Sequence, residues 1–233
     1  MIWSYGQNDP ADNDPMKLVK HVKRGTKTIV MRGQGEQHPL PPSAKSFNIS
    51  NDVTVPSDGR SWGSQFDERT SYFCRGFKLD ASLIGQKRHI VRVNIIDNAP
   101  SQKLHHVLLY HCPGTLTDAE INYRGPCHST NMPDALQNCN GANPVVAWAI
   151  GGEPFSFPPE AGYPFGNNNG GFIYGLMETH YDNYDQVSWH DTSGVRIWYL
   201  EGADLRQHDA GIATFGAGGG FSVPALNPSY THR

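Results

Sequence analysis

Short runs rich in Val, Ile, Tyr, Phe and Trp alternate along this chain with clusters of Gly, Pro, Asn and Asp. Such runs read as strands and such clusters as turns. The strand candidates are Thr28–Arg32, Phe47–Val55, Ser71–Leu79, His89–Ile96, Leu104–His111, Val145–Ile150, Gly171–His180 and Val195–Leu200. Long amphipathic helices are absent, and only Lys17–Arg24 is mildly helical. Many short strands at this spacing predict an all-β fold, an antiparallel β-sandwich or jelly roll. The stretch Pro154–Gly171 is too rich in Gly and Pro for a regular element and reads as a long ordered loop that can shape a site. Met31–Lys45 is polar and Pro-rich, as linkers are.

Composition narrows the function. The formal charge of −3 gives no electrostatic case for nucleic acid, and the basic cluster Lys17–Lys27 reads as a solvated face. No apolar run approaches the roughly 18 residues of a membrane span. The opening MIWSYGQNDPADNDP has neither the basic nor the apolar region of a signal peptide, and both chain ends read as cuts. Cys74, Cys112, Cys127 and Cys139 include no C-x-x-C pair, which disfavours zinc-ribbon and thioredoxin chemistry. Two disulfides in an oxidising compartment fit better than four buried thiols, and spacing alone leaves three connectivities open. Asn48-Ile49-Ser50 is a glycosylation sequon.

Eleven histidines in 233 residues make one adjacent pair a weak signal, and a histidine in a β-protein is more often a satisfied polar residue than a ligand. The setting of His105-His106 gives the pair interest, because both lie in the otherwise apolar run Leu104–Tyr110. Neutral imidazole suits copper and zinc. Neighbours on a regular strand point to opposite faces, so both can reach one metal only where the strand is bulged, twisted or at an edge. His180, in Met177-Glu178-Thr179-His180-Tyr181-Asp182-Asn183, is the third candidate. Three histidines would leave part of a metal's coordination sphere open. A zinc hydrolase is the weaker chemistry, since no general base is clearly placed. A metal-free sandwich is the plain alternative.

The run Leu104–Tyr110, Gly125-Pro126-Cys127, Gln137-Asn138-Cys139, Ala147-Trp148-Ala149-Ile150-Gly151-Gly152, Pro158-Pro159-Glu160-Ala161-Gly162, Met177–Asn183, Ser193-Gly194-Val195-Arg196 and Asp209-Ala210-Gly211-Ile212 occur in one order. In that order they resemble the copper type II, ascorbate-dependent monooxygenases, the family of dopamine β-monooxygenase and the dopamine-hydroxylase-like enzymes. The resemblance implies a disulfide-linked jelly roll at 47–225 that carries the first of two coppers. That copper takes electrons from ascorbate on His105, His106 and His180, while His111, His190 and His208 match no ligand position. The second copper, on a His-x-His pair and a Met, belongs to a C-terminal copper domain of the same full-length protein. Without that partner this chain is expected to hydroxylate no aliphatic C–H, and it carries no catalytic residue beyond the copper ligands. The family pattern pairs Cys74 with Cys127 and Cys112 with Cys139, tying the strand of His105 and His106 to its neighbours. It also implies a small-molecule substrate, with a phenethylamine among the candidates, and a secretory-pathway location (secreted, vesicle lumen or endoplasmic reticulum lumen), where the Asn48 sequon is a glycosylation candidate.

Residues 1–33 resemble the end of a DOMON domain, 34–46 a linker, and 226–233 the start of a connection onward. Asp182 and Tyr184 depart from the His-Tyr-His-Asn-Pro of catecholamine hydroxylases and are more like the dopamine-hydroxylase-like group. The rival function is a secreted copper-binding or interaction module without catalysis.

Overall fold

The computed structural model describes residues 38–62, 68–140, 144–167 and 171–212, together with a two-stranded antiparallel ribbon of β1 (Ile2–Tyr5) and β2 (Lys23–Thr26). The strands that follow are β3 (Lys45–Ser50), β4 (Val53–Val55), β5 (Thr70–Lys78), β6 (Arg88–Ile96), β7 (Leu104–Cys112), β8 (Arg124–Pro126), β9 (Pro144–Ala149), β10 (Phe155–Ser156), β11 (Ala161–Phe165), β12 (Tyr174–Asp182), β13 (Trp189–Asp191), β14 (Gly194–Glu201) and β15 (His208–Asp209). Two short helices, α1 (Asp118–Ile121) and α2 (Asp134–Asn140), interrupt them.

Two sheets and a second ribbon result among the described residues. One sheet runs β15-β11-β6-β14-β3, with β10 also on β6. The other runs β8-β5-β12-β7-β9, and β13 pairs β4 apart from both. Every pairing between these strands is antiparallel except β11 with β15. The fold is thus an antiparallel sandwich of jelly-roll type.

The core follows from strand alternation. Phe73 and Phe77 of β5, Val107 and Leu109 of β7, and Met177 and Tyr181 of β12 pack with Ile90, Val93, Val195 and Ile197 of the facing sheet. The opposite face of the five-stranded sheet is also covered. There Cys74, Tyr110, Cys112 and Leu176 pack under Leu116, Cys127, Met132, Leu136 and Cys139. Buried on both faces and flanked by β5 and β7, β12 is enclosed along nearly its whole length.

Several sequence expectations change. Phe47–Val55 is two strands, because Asn51 turns its side chain inward and donates to Thr179 Oγ1 at 2.9 Å and Tyr181 Oη at 2.8 Å. Pro154–Gly171 is not a loop throughout, since it holds β10 and β11. The Pro164 position costs the ladder only a donor, and Gly162 lets the strand close on β6, since a Cβ there would sit 2.5 Å from the His89 Cβ. The segment Lys17–Arg24 ends in strand, not helix, at Lys23 and Arg24, and its other residues lie outside the described ones, as do Thr28–Arg32, 213–225 and 226–233. Helix α1 carries a capping box that the sequence already contained as Thr117-Asp118-Ala119-Glu120.

The Tyr181 hydroxyl links Asn51 to a buried carboxylate. It donates to Asp191 Oδ2 at 2.6 Å, and Ser193 Oγ donates to Oδ1 at 2.6 Å. Burial first, and Asp191 second, push the Tyr181 hydroxyl well above the usual tyrosine range. Asp191→Ala strands these donors, and is expected to destabilise the chain by about 3 kcal/mol. Urea unfolding measures it, and a loss below about 1 kcal/mol, the worth of one ordinary hydrogen bond, would show that the network is dispensable.

Candidate metal centre

The ladder between β7 and β12 pairs Val107 with Thr179 and His106 with His180, and then shifts so that Leu104 meets Tyr181. His105 is the extra residue of a β-bulge. This removes the difficulty posed by adjacent histidines, because a bulge re-aims one side chain out of the strict alternation. The bulge is held from its other side: Ile150 N donates to His105 O at 2.9 Å, and Ala149 of β9 pairs with His106.

Three ring nitrogens converge there. His105 Nδ1 lies 3.0 Å from His106 Nδ1 and 3.0 Å from His180 Nδ1, and the last two are 3.3 Å apart. His105 and His180 are buried, and His106 is the one with a solvent-facing edge.

The far side of each of two rings meets an oxygen. His180 Nε2 sits 2.5 Å from Thr70 Oγ1 and 3.7 Å from Asp182 Oδ1, and His106 Nε2 is 3.6 Å from Glu178 Oε1. Carboxylates on that side favour the proton on Nε2, which leaves lone pairs on Nδ1. The lone pairs of His106 and His180, facing each other at 3.3 Å, repel unless a cation, or a proton on His105 Nδ1, lies between them. The spacing suits a cation, since nitrogens bound tetrahedrally at about 2.0 Å are about 3.3 Å apart. The donor set therefore fits a metal that takes imidazole, copper and zinc among them.

Tyr72 of β5 stacks flat on His180, with ring centroids 4.1 Å apart at 3°. Burial first, then the Glu178 and Asp182 carboxylates, push its hydroxyl up to about 12.

Among the described residues one other group has metal-like spacing, Cys74, Cys127 and Glu178, but its sulfurs form a disulfide. Cys74–Cys127 fastens β5 to the turn after β8, and Cys112–Cys139 fastens the end of β7 to α2. Only the second bridge is on the strand of His105 and His106. His111 stands apart, 3.3 Å from the Tyr163 hydroxyl, and burial lowers its pKa. His190 faces Asp52 at 2.9 Å, and His208 lies on β15. Asn48 is exposed on β3.

Four residues around the histidines escaped the sequence reading, Thr70 and Tyr72 of β5 among them. Glu178 is buried beside His106, and the Glu-x-His spacing on one strand was the available signal, since residues two apart share a face. His128 lies beside the same carboxylate, at 3.8 Å, with φ of 56°. Nothing in the local sequence announced that position.

The family model described as "Copper type II ascorbate-dependent monooxygenase, N-terminal domain" matches residues 63–188. The chain is 30% identical over 219 residues to "DBH-like monooxygenase protein 1" of Mus musculus, covering 93% of this chain and 33% of that protein. It is 33% identical over 220 residues to the Gallus gallus protein of that name, with the same two shares. It is 30% identical over 180 residues to "Dopamine beta-hydroxylase" of Rattus norvegicus, covering 76% of this chain and 26% of that protein. The chain thus spans about a third of the length of the first of these relatives. A match over more than half of its residues places the chain in the copper type II ascorbate-dependent monooxygenase family, to which it belongs through that family's N-terminal domain.

Proposed function

We propose that His105, His106 and His180 hold one copper through their Nδ1 atoms, and that this centre is the electron-entry site of an ascorbate-dependent monooxygenase. The observation that carries the reading is the convergence of the three Nδ1 atoms at 3.0–3.3 Å on a β-bulge. Bound copper would supply one-electron chemistry, with ascorbate as donor and a second copper as acceptor.

The chain's own residues do the rest. Thr70 and the carboxylates of Asp182 and Glu178 orient the imidazoles of His180 and His106, which directs their Nδ1 lone pairs toward His105 Nδ1. Tyr72 covers His180 and keeps that side of the site dry. The solvent-facing edge of His106 is the approach for a reductant. Glu178 is not placed as a hydrolytic base, because it meets His106 at Nε2, on the side of the ring away from the converging nitrogens.

Hydroxylation of a small molecule of phenethylamine type is assigned to the full-length protein, with the second copper in a C-terminal domain. Names such as dopamine beta-hydroxylase among the relatives support that substrate class. Two disulfides support folding in the secretory pathway, where exposed Asn48 is open to glycosylation.

The test is to express the chain in an oxidising compartment, load it with Cu(II), remove the excess and record the EPR spectrum before and after ascorbate. One copper per chain, with nitrogen-rich coupling bleached by ascorbate, is the expected result. A folded, disulfide-intact chain that retains no copper would overturn the reading. Retention of zinc alone after native purification would do the same.

A further inference from the structure

Glu178 occupies an unusual place for a carboxylate. It lies at the centre of a sheet covered on both faces, paired with Cys74 on one side and Leu108 on the other. It is 4% exposed. Its two oxygens diverge, with Oε1 3.6 Å from His106 Nε2 and Oε2 3.8 Å from His128 Nε2. Its oxygen and the sulfurs of the Cys74–Cys127 bridge lie within 4.8 Å of one another, so the disulfide walls the carboxylate in. His128, next along the chain from Cys127, holds a left-handed backbone that a non-glycine residue adopts at a cost of order 1 kcal/mol. That conformation brings its ring to Glu178 from the solvent side.

Burying a carboxylate is costly unless its charge is answered nearby. Two imidazoles face it, and a cation on the far side of His106 would add to the compensation. Resting on the copper reading above, we propose that Glu178 is the positioning and charge-setting residue of the centre. From 3.6 Å it favours the tautomer of His106 that offers Nδ1, and its negative charge favours Cu(II) over Cu(I). His128 and the Cys74–Cys127 bridge hold it in place.

The proposal separates two roles that two substitutions distinguish. Glu178→Gln keeps an oxygen that can accept from His106 Nε2 but removes the charge. Glu178→Leu removes both. In the Gln variant the chain is expected to keep one copper, with a reduction potential shifted upward, because the lost anion had favoured the more highly charged ion. Its Cu(II) affinity is expected to fall roughly 10-fold, and that of the Leu variant roughly 100-fold with a heterogeneous EPR spectrum as His106 loses its orientation.

The measurements are Cu(II) and Cu(I) affinities by chelator competition, the EPR spectrum and the midpoint potential of the copper-loaded chain. A folded Gln variant with unchanged affinity, spectrum and potential overturns the proposal. So does one that melts earlier with its potential unmoved, since Glu178 would then be structural only. Should the Leu variant fail to fold, the Gln variant decides alone. A parent chain that binds no copper removes the copper reading as well, which distinguishes that failure from failure of the Glu178 role.

Discussion

A His180→Ala chain is expected to lose stoichiometric copper. His180 makes close contacts with both members of the bulge pair, 3.0 Å from His105 and 3.3 Å from His106 at Nδ1, and it comes from a different strand. Without it the two neighbours on β7 remain, and two imidazoles hold a metal far less firmly than three. Loss of a partner behind a ligand costs roughly 10–100-fold in affinity, so loss of the ligand itself is expected to cost at least about 100-fold. The side chain is buried under Tyr72, and Ala leaves a hole there, so the comparison needs a folded sample with both disulfides intact. Chelator competition measures the affinity. An unchanged value in such a sample would rule out the three-histidine assignment.

The second large effect concerns Cys112–Cys139. This bridge closes a loop with a sequence separation of 27 and joins the end of β7 to α2. In the chain-entropy model such a loop is worth about 3.5 kcal/mol, and the Cys74–Cys127 loop, with its separation of 53, about 4 kcal/mol. The double substitution Cys112→Ala/Cys139→Ala is therefore expected to lower the unfolding free energy by about 3–4 kcal/mol, a large share of a typical domain's 5–15 kcal/mol. Urea titration under oxidising conditions tests this. A loss below about 1 kcal/mol would mean that Leu116, Met132 and Leu136 dock the segment by packing alone, without help from the smaller denatured ensemble that a cross-link provides.

Residue type carried most of the fold. Runs such as Arg-His-Ile-Val-Arg-Val at β6 and Gly-Val-Arg-Ile-Trp-Tyr at β14 are strands because their branched and aromatic side chains pack on a pleated surface. Local chemistry misled where tertiary pairing decided. Ala161–Phe165 reads as loop by its Gly and Pro, but the waiting edge of β6 accepts it. Asn51 and Asp52 look tolerable inside a strand, yet Asn51 is drawn to Thr179 and Tyr181 more than 120 residues away. Helices of four and seven residues are too short to show a periodic apolar face.

The centre divides in the same way. The three histidines were legible as residue types and, through resemblance, as a set. The means of their convergence was not, because a bulge is a mismatch in count between two strands and leaves no mark on either strand alone. Glu178 sat in plain view two positions before His180, and only its burial gives it meaning.

The bulge also separates the fate of the centre from that of the sheet. With His105 deleted, β7 could run in even register against β12, His106 would still face His180, and the ladder would be more regular than before. A single-codon deletion would thus dismantle the centre while sparing the sandwich. Along this strand, a change in length is as dangerous to function as the replacement of a histidine, and a relative that kept the fold but lost one position here would be expected to have left the chemistry behind.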